Sequence, residues 1–517
     1  MKHWMKWMSA LLALAMLLGC GALAEEADET VVDAAVEAAL EEGNDPEAAE
    51  AASQDNLVVT EHTATIGGKT IDYTATAGTM VMDTDLGKYE IFFTAYTAKD
   101  VEDVAKRPIT FTFNGGPGAA SLWLHMGLLG PERIGVNPEG MLESVQVGHN
   151  PNANSILDMT DLVFIDPVGT GYSRTLPGTD ETAFYDSYND FASVGDFIRL
   201  YVSRNDRWAS PKYLAGESYG TLRAAGVCSY LMNTWHMNMN GLMLISSAND
   251  YAAISFATGN ELPFVNFFPT YAAAAWYHGL VGDQYKNLAL DAFLDEARAF
   301  AAGDYLSALY QGTRLTDAQR DDIATRMSEF IGLSKDFILK HDLRVAMDEF
   351  CPELLGDQKL MVGRLDSRYT APIVPGDIGS ASNDPSAMGI LEAFTAVYSD
   401  YVSRELGYKT DREYEPLSSS VIQQWSFDSD NHFLSQEETI RTCMSSNKFL
   451  KVWVLCGYYD LATPFFGAEW IFSHIFLNPE EAGNLSFTYY PAGHMFYMVE
   501  DCVEKFHGEA AAWYGAE

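Results

Sequence analysis

The pentapeptide Gly216-Glu217-Ser218-Tyr219-Gly220 constrains this chain more than any other feature. A serine held between two glycines at this spacing marks a sharp turn from a strand into a helix. Ahead of it, Lys212-Tyr213-Leu214-Ala215 is a short apolar run suited to a strand, and behind it residues 221–232 lack proline and are rich in helix formers. Strand, turn and helix in that order lift a hydroxyl above the end of a sheet. Far downstream, Val452-Trp453-Val454-Leu455-Cys456 reads as a buried strand that delivers Gly457-Tyr458-Tyr459-Asp460. Leu485–Tyr490 reads as another, ending at Pro491-Ala492-Gly493-His494. Serine, aspartate and histidine in that chain order, each after a strand, form the set needed for nucleophilic attack by Ser218.

The remaining pattern predicts the sheet that such a turn requires. Residues 58–66 and 69–75 alternate apolar and polar side chains around Gly67-Gly68, the mark of a β-hairpin. Residues 89–96 read as a further antiparallel strand. After Lys106-Arg107-Pro108 the runs become short and continuously apolar, at 109–113, 162–165, 213–215 and 242–245. Such runs suit strands buried on both faces of a mainly parallel sheet. Helical stretches at 191–204 and 221–233 fall between them, so the fold class is α/β. Beyond Asn249-Asp250 the strand rhythm stops, and helices are predicted at 288–302, 304–310, 317–331, 335–339 and 387–406. Asp460 and His494 lie beyond this excursion. The expected catalytic domain is therefore discontinuous, 57–250 and 421–517, with residues 251–420 as a helical cap insertion.

The amino terminus reads differently. Met1-Lys2-His3-Trp4-Met5-Lys6 is basic and residues 9–18 form an apolar core, too short to span a bilayer, so residues 1–24 read as a signal peptide. Ala22-Leu23-Ala24 is the expected cleavage site. Leu17-Leu18-Gly19-Cys20 offers the alternative, a lipobox that would anchor the chain by lipid on Cys20. Residues 25–56 carry no Lys or Arg and are dense in Glu, Asp and Ala, the composition of a disordered acidic tether. Both processing routes put the mature chain outside the cytoplasm, and no later segment reads as a membrane span.

A net charge of −40 argues against nucleic-acid binding, which needs clustered Lys and Arg. No zinc, phosphate-loop or metalloprotease pattern is present, so neither metal nor other cofactor is expected. Without Cys20, five cysteines remain: Cys228 and Cys456 read as buried hydrophobes, whereas Cys351–Cys443 and Cys443–Cys502 stand as conceivable bridges.

Five segments, in order, resemble the serine carboxypeptidase family of α/β-hydrolases. They are Phe113-Asn114-Gly115-Gly116-Pro117-Gly118, the segment from Phe164-Ile165-Asp166 to Gly171-Tyr172-Ser173, the serine pentapeptide, Gly457-Tyr458-Tyr459-Asp460-Leu461-Ala462-Thr463-Pro464, and Gly493-His494-Met495. The resemblance implies a secreted hydrolase with catalytic Ser218, Asp460 and His494, and an oxyanion hole at Gly116 and Tyr219. It also implies that Asn114 and Glu217 bind the free carboxylate of a peptide substrate. A carboxyl facing a carboxylate must be protonated, so Glu217 is expected as a neutral donor that favours acid conditions. Two departures stand out: Thr112 replaces the family's Trp two residues before Asn114, and Ala119-Ala120-Ser121 replaces a Cys-Ser-Ser. The alternatives are an esterase or acyltransferase on the same triad, or an inactive envelope-binding protein. His125, His149, His278 and His474 read as structural or exposed, and structural roles are expected for Arg174 and Arg223, with substrate binding as the alternative. The charged segment Gly363-Arg364-Leu365-Asp366-Ser367-Arg368 reads as a surface loop, with a cleft-bordering position as the alternative.

Overall fold

The computed structural model describes residues 54–142, 144, 147–374, 384–387, 389–427 and 432–515. The expected signal peptide, the possible anchor Cys20 and nearly all of the tether lie outside the described residues. The described body, Asp55–Glu517, clusters as one unit.

Its strands are β1 (Asn56–Ile66), β2 (Lys69–Thr84), β3 (Gly87–Ala98), β4 (Ile109–Phe113), β5 (Glu132–Ile134), β6 (His149–Pro151), β7 (Asp161–Ile165), β8 (Arg174–Thr175), β9 (Lys212–Glu217), β10 (Gly241–Ile245), β11 (Leu360–Val362), β12 (Thr370–Pro372), β13 (Lys451–Gly457) and β14 (Leu485–Tyr490). The main sheet runs β1-β2-β3-β7-β4-β9-β10-β13-β14, with β8 paired to β3. From β7 to β14 every pairing is parallel, whereas β1, β2 and β3 add an antiparallel edge. This is the mainly parallel α/β-hydrolase sheet that the sequence predicts. The hairpin at Gly67-Gly68 forms because both glycines take left-handed φ, 56° and 77°, as a two-residue turn requires. β2 runs past its predicted end, since Met80 and Met82 are also buried.

Alternation along the central strands feeds two cores. Val452 and Val454 of β13 join Leu242, Leu244, Phe111 and Phe113 on one face, packed by the helices Ser187–Arg204, Tyr219–Thr234 and Leu262–Tyr277. Trp453 and Leu455 point the other way, to Met243 and Ile245 and the helices Ile390–Arg404 and Glu500–Tyr514. Each such side chain contributes about 1.5–3 kcal/mol of burial. The amino-terminal ends of three adjacent strands are aligned by a buried ionic cluster. Asp161 at the start of β7 accepts from Arg107 Nε (2.6 Å) ahead of β4 and from Arg207 ahead of β9. Arg207 also donates to the Arg107 carbonyl at 2.8 Å. Both guanidiniums find charge-assisted partners, which is the condition for burying them.

Between β10 and β13 the chain is mainly helical. Asp317–Ile331 forms as predicted, and the helices expected at 288–302 and 304–310 are one rod, Leu290–Phe300 and Leu306–Gln311 joined through a π turn at Ala301–Tyr305. Leu262–Tyr277 was not predicted: it is apolar around most of its girth and carries Pro269 inside, so it shows no amphipathic period. Its Phe267 and Phe268 belong to the same core as the sheet, along with Phe293, Phe300 and Phe330 of the neighbouring helices. No helix among the described residues is long and apolar enough to cross a membrane.

The described cysteines are all buried free thiols. Neither conceivable bridge is formed, because Cys443 faces Cys228 from the adjacent helix instead.

Candidate active site

The end of β9 turns into the helix Tyr219–Thr234 at Ser218, whose φ of 59° and ψ of −128° lie where side-chain-bearing residues rarely sit. Such a conformation costs on the order of 1–3 kcal/mol and persists only where the surroundings impose it. Here the Ser218 N–H donates to the Ile245 carbonyl (2.9 Å), and its carbonyl accepts from Thr221 N–H (2.9 Å) and Thr221 Oγ1 (2.7 Å). Gly216 has no alternative residue, since a Cβ there would lie 2.1 Å from the Gly220 carbonyl oxygen. The turn leaves Ser218 half-buried among fully buried neighbours.

The glycine turn after β4 lies directly against this elbow. A Cβ on Gly115 would stand 2.6 Å from Tyr219 N, so only glycine permits the approach. Neither the Gly116 N–H nor the Tyr219 N–H has a hydrogen-bond partner among the described residues. The Tyr219 side chain turns inward, its hydroxyl donating to Asp190 (3.1 Å) and its ring set edge-on to Trp425.

Asp460 follows β13 and is fully buried. Its Oδ1 accepts the N–H groups of Ala462 (2.7 Å) and Thr463 (2.9 Å), and its Oδ2 accepts Thr463 Oγ1 (2.6 Å) and His494 Nδ1 (2.8 Å). Four donors hold one carboxylate in a single orientation. Burial opposes a charged imidazole at His494, but the charge and hydrogen bond of Asp460 outweigh it and raise the histidine's pKa above its ordinary value. The backbone of His494 is fixed from two sides, by N–H donation to Leu365 (2.6 Å) and by acceptance from Ser246 Oγ (2.7 Å).

Glu217, immediately before Ser218, is buried between Asn114 and Tyr497. Asn114 Nδ2 donates to Glu217 Oε2, and the Tyr497 hydroxyl lies 3.0 and 2.9 Å from the two carboxyl oxygens. Burial pushes the Glu217 carboxyl up to about 7, with the charge of Asp460 adding to it, while His494, Tyr497 and Asn114 pull the other way. Asn114 is itself anchored: its Oδ1 accepts Leu124 N–H (3.1 Å) and its carbonyl accepts Arg223 (2.5 Å). Arg223 is fully buried and forks onto Asp190 (2.8 and 3.0 Å), so its role is to brace the carbonyl side of the pocket. Arg174 likewise serves structure, donating to the carbonyls of Gly171, Ser173 and Glu413. Thr112 is wholly buried and its hydroxyl has no partner among the described residues.

The segment Gly363–Arg368 corrects the surface-loop expectation. It is the turn of the β11–β12 hairpin, and Asp366 and Ser367 are buried. Leu461 N–H donates to the Arg364 carbonyl (2.9 Å) and Ser367 N–H to the Tyr459 carbonyl (3.0 Å), one on each side of Asp460. Asp366 accepts Gly493 N–H (2.9 Å), and Arg368 pairs with Asp366 while donating to the Pro491 carbonyl (2.9 Å). The turn is thus a strap across the loops that carry the acid and the histidine. His278 reaches the same strap, 2.8 Å from the Ser367 carbonyl. His125 is a core residue stacked on Phe164, and His149 pairs with Glu132.

Sequence reasoning missed Tyr497 and Thr463, and for the strap it ranked a surface loop ahead of a cleft-bordering position. Tyr497 sits three residues beyond His494 on a short turn, Phe496–Met498, and no local signal tells that its hydroxyl meets Glu217. Thr463 lies in a recognised segment, where a hydroxyl three residues after the acid was the available clue. Among the described residues no cluster of His, Cys, Asp and Glu is arranged to hold a metal.

Comparison with known proteins places this geometry. The sequence pattern of the serine carboxypeptidase family matches residues 68–484, which takes in Asn114, the elbow and Asp460 and stops short of His494. A carboxypeptidase Y homolog of Arthroderma benhamiae is 31% identical over 170 residues, which span 32% of this chain and 31% of that relative's length. Among solved structures, the prohormone-processing carboxypeptidase Kex1(delta)p of Saccharomyces cerevisiae superposes with a TM-score of 0.55 at 15% identity, covering 86% of this chain and 91% of its own. A proline iminopeptidase of Mycobacterium smegmatis matches with a TM-score of 0.37 at 14% identity, over 85% of this chain and 97% of its own. With four-fifths of its length matched by the family pattern, the chain belongs to the serine carboxypeptidase family.

Proposed function

We propose that this protein is an exported carboxypeptidase of bacterial type that removes residues from the carboxyl termini of peptides through an acyl-enzyme on Ser218. In this reading His494, oriented by Asp460, takes the Ser218 proton as the hydroxyl attacks the last peptide bond and returns it to the leaving amine. The free N–H groups of Gly116 and Tyr219 receive the developing oxyanion. Residues 251–420, mainly helical where described, serve as the cap over the site.

The observation that carries the proposal is the Asn114–Glu217 pair beside the nucleophile. A carboxyl pushed up to about 7 is largely protonated in mild acid and has a proton to give, while Asn114 supplies a second donor. Two neutral donors next to the attacking serine suit the terminal carboxylate of a peptide. They have no evident use for an ester without one, so the esterase or acyltransferase reading ranks second. Failure to label Ser218 with a fluorophosphonate would favour an inactive binding protein. Lipobox-like and signal-like features at the amino terminus, with no disulfide in the described body, support the bacterial-type, exported assignment. Terminal sequencing of the mature chain distinguishes Glu25 from a lipidated Cys20.

The test is digestion of matched peptides with free and amidated carboxyl termini near pH 5. Free peptides should be cleaved at least about a hundredfold faster, and Ser218→Ala should lower turnover by on the order of 10⁴. Equal cleavage of both peptides would overturn the assignment.

A further inference from the structure

The strap that holds the loops of Asp460 and His494 also carries a cationic side chain with no partner among the described residues. Arg364 is exposed, and its guanidinium makes no hydrogen bond, ion pair or ring contact with any described residue. Each of the other arginines is engaged by a carboxylate, a backbone carbonyl or an aromatic face. In a chain of net charge −40 an arginine does not lack for carboxylates. The carboxylate nearest along the strap, Asp366, is paired with Arg368, and Asp384 is used as well: it accepts the backbone N–H groups of Arg364 (3.0 Å) and Ser386 (2.9 Å), and Ser386 Oγ (2.5 Å).

The backbone of Arg364 is held rigidly at the site. Its carbonyl accepts Leu461 N–H, next to Asp460, and the adjoining Leu365 carbonyl accepts His494 N–H. Its charge is felt by the imidazole of His494 and by the phenol of Tyr251, which itself packs on Phe427. The exposed cation is therefore rooted between the loops of Asp460 and His494 rather than on a remote surface.

We infer that Arg364 is a specificity-determining residue, whose free guanidinium pairs with an acidic side chain, Asp or Glu, in one of the two residues flanking the scissile bond. The inference rests on the carboxypeptidase reading above and names its substrate class. A guanidinium fork matches a carboxylate in geometry and charge, and a rim pair of this kind adds selectivity more than raw affinity. Between about pH 5 and 6 a substrate glutamate is ionised, since its ordinary pKa is about 4.3, while Glu217 still keeps its proton. Both recognition elements then operate together.

The experiment compares kcat/KM at pH 5.5 for amino-blocked peptides that differ only as Glu or Gln, placed in turn at the last and the penultimate position. The wild-type protein should favour Glu at one of these positions by roughly three- to tenfold, and 0.5 M salt should reduce that ratio. Arg364→Gln should bring the ratio close to one, and Arg364→Glu should turn the preference toward Lys at the same position. Neither variant removes an internal contact, and circular dichroism verifies the fold of each. A Glu-to-Gln ratio of one in the wild-type protein at both positions, or a ratio untouched by Arg364→Gln, overturns the inference while leaving the carboxypeptidase reading intact. If no free-carboxyl peptide is cleaved at all, the underlying reading falls and the role of Arg364 falls with it.

Discussion

Glu217 accepts hydrogen bonds from Asn114 and Tyr497 at the floor of the site, and burial leaves its carboxyl titrating at about 7. Below that value the group is neutral and can donate; above it, under the proposed carboxylate clamp, a second negative charge would face the substrate's own. Peptide KM should therefore rise as pH climbs through about 7, while esters lacking a carboxylate respond less. Glu217→Gln keeps a neutral donor at every pH and should flatten the rise, whereas Tyr497→Phe removes a donor that favours the anion and should move the rise to higher pH. KM profiles measured with one peptide and one ester decide it; an unchanged peptide profile in Glu217→Gln would separate the pH response from this carboxyl. Asn114 and Glu217 were readable because each lies inside a short motif next to a glycine that the turn requires. Tyr497 was not, because its meaning depends on a residue 280 positions earlier.

Among the elements, the strap between β11 and β12 matters most to geometry. It bonds the loop of Asp460 through Arg364 and Ser367 and the loop of His494 through Leu365 and Asp366. Gly493 is where it comes closest: a Cβ there would lie 2.3 Å from the Leu365 carbonyl oxygen and 2.4 Å from Asp366 Cβ. Gly493→Ala should push the histidine loop off the strap. A misplacement of the order of 1 Å costs about a hundredfold in turnover, so kcat should fall by one to two orders of magnitude with a much smaller change in KM. Steady-state kinetics alongside fluorophosphonate labelling rates measure this, and wild-type rates in both would show that the strap does not position His494. From sequence the segment reads as a surface loop because it is short, polar and of mixed charge. Two of its three charges are in fact spent internally, Arg368 on Asp366 and on the Pro491 carbonyl, and only Arg364 faces outward.

For the whole molecule, charge and buried protons act in one direction. Asp166 and Glu217 are both pushed up to about 7, burial being the main cause in each, and His494 is raised as well. All three bind their protons more tightly folded than unfolded. For the two carboxyls the stabilisation is complete below the unfolded range near about 4 and is lost as pH rises through about 7. For His494 it is complete below the unfolded imidazole value of about 6.5 and is lost as pH rises through its raised folded value. Self-repulsion among the carboxylates of a chain carrying −40 grows over the same range. Tm should therefore be highest in mild acid and fall by on the order of 5 °C or more between pH 5 and 8, with salt recovering only the repulsive part. Calorimetry across that range tests it, and a Tm that rises toward pH 8 would refute the sign. The sequence by itself determined what depends on near neighbours: the strands buried on both faces, the hairpin at Gly67-Gly68, the elbow around Ser218 and the strand ends that carry Asp460 and His494. Periodicity and glycine spacing report such features because each is set within a few residues. Only the tertiary structure decided which distant groups meet, namely Tyr497 on Glu217, the strap on the loops of Asp460 and His494, and Cys443 on Cys228, and that the Arg364 guanidinium meets no partner among the described residues. These contacts arise from the packing of elements whose separation along the chain leaves no local trace.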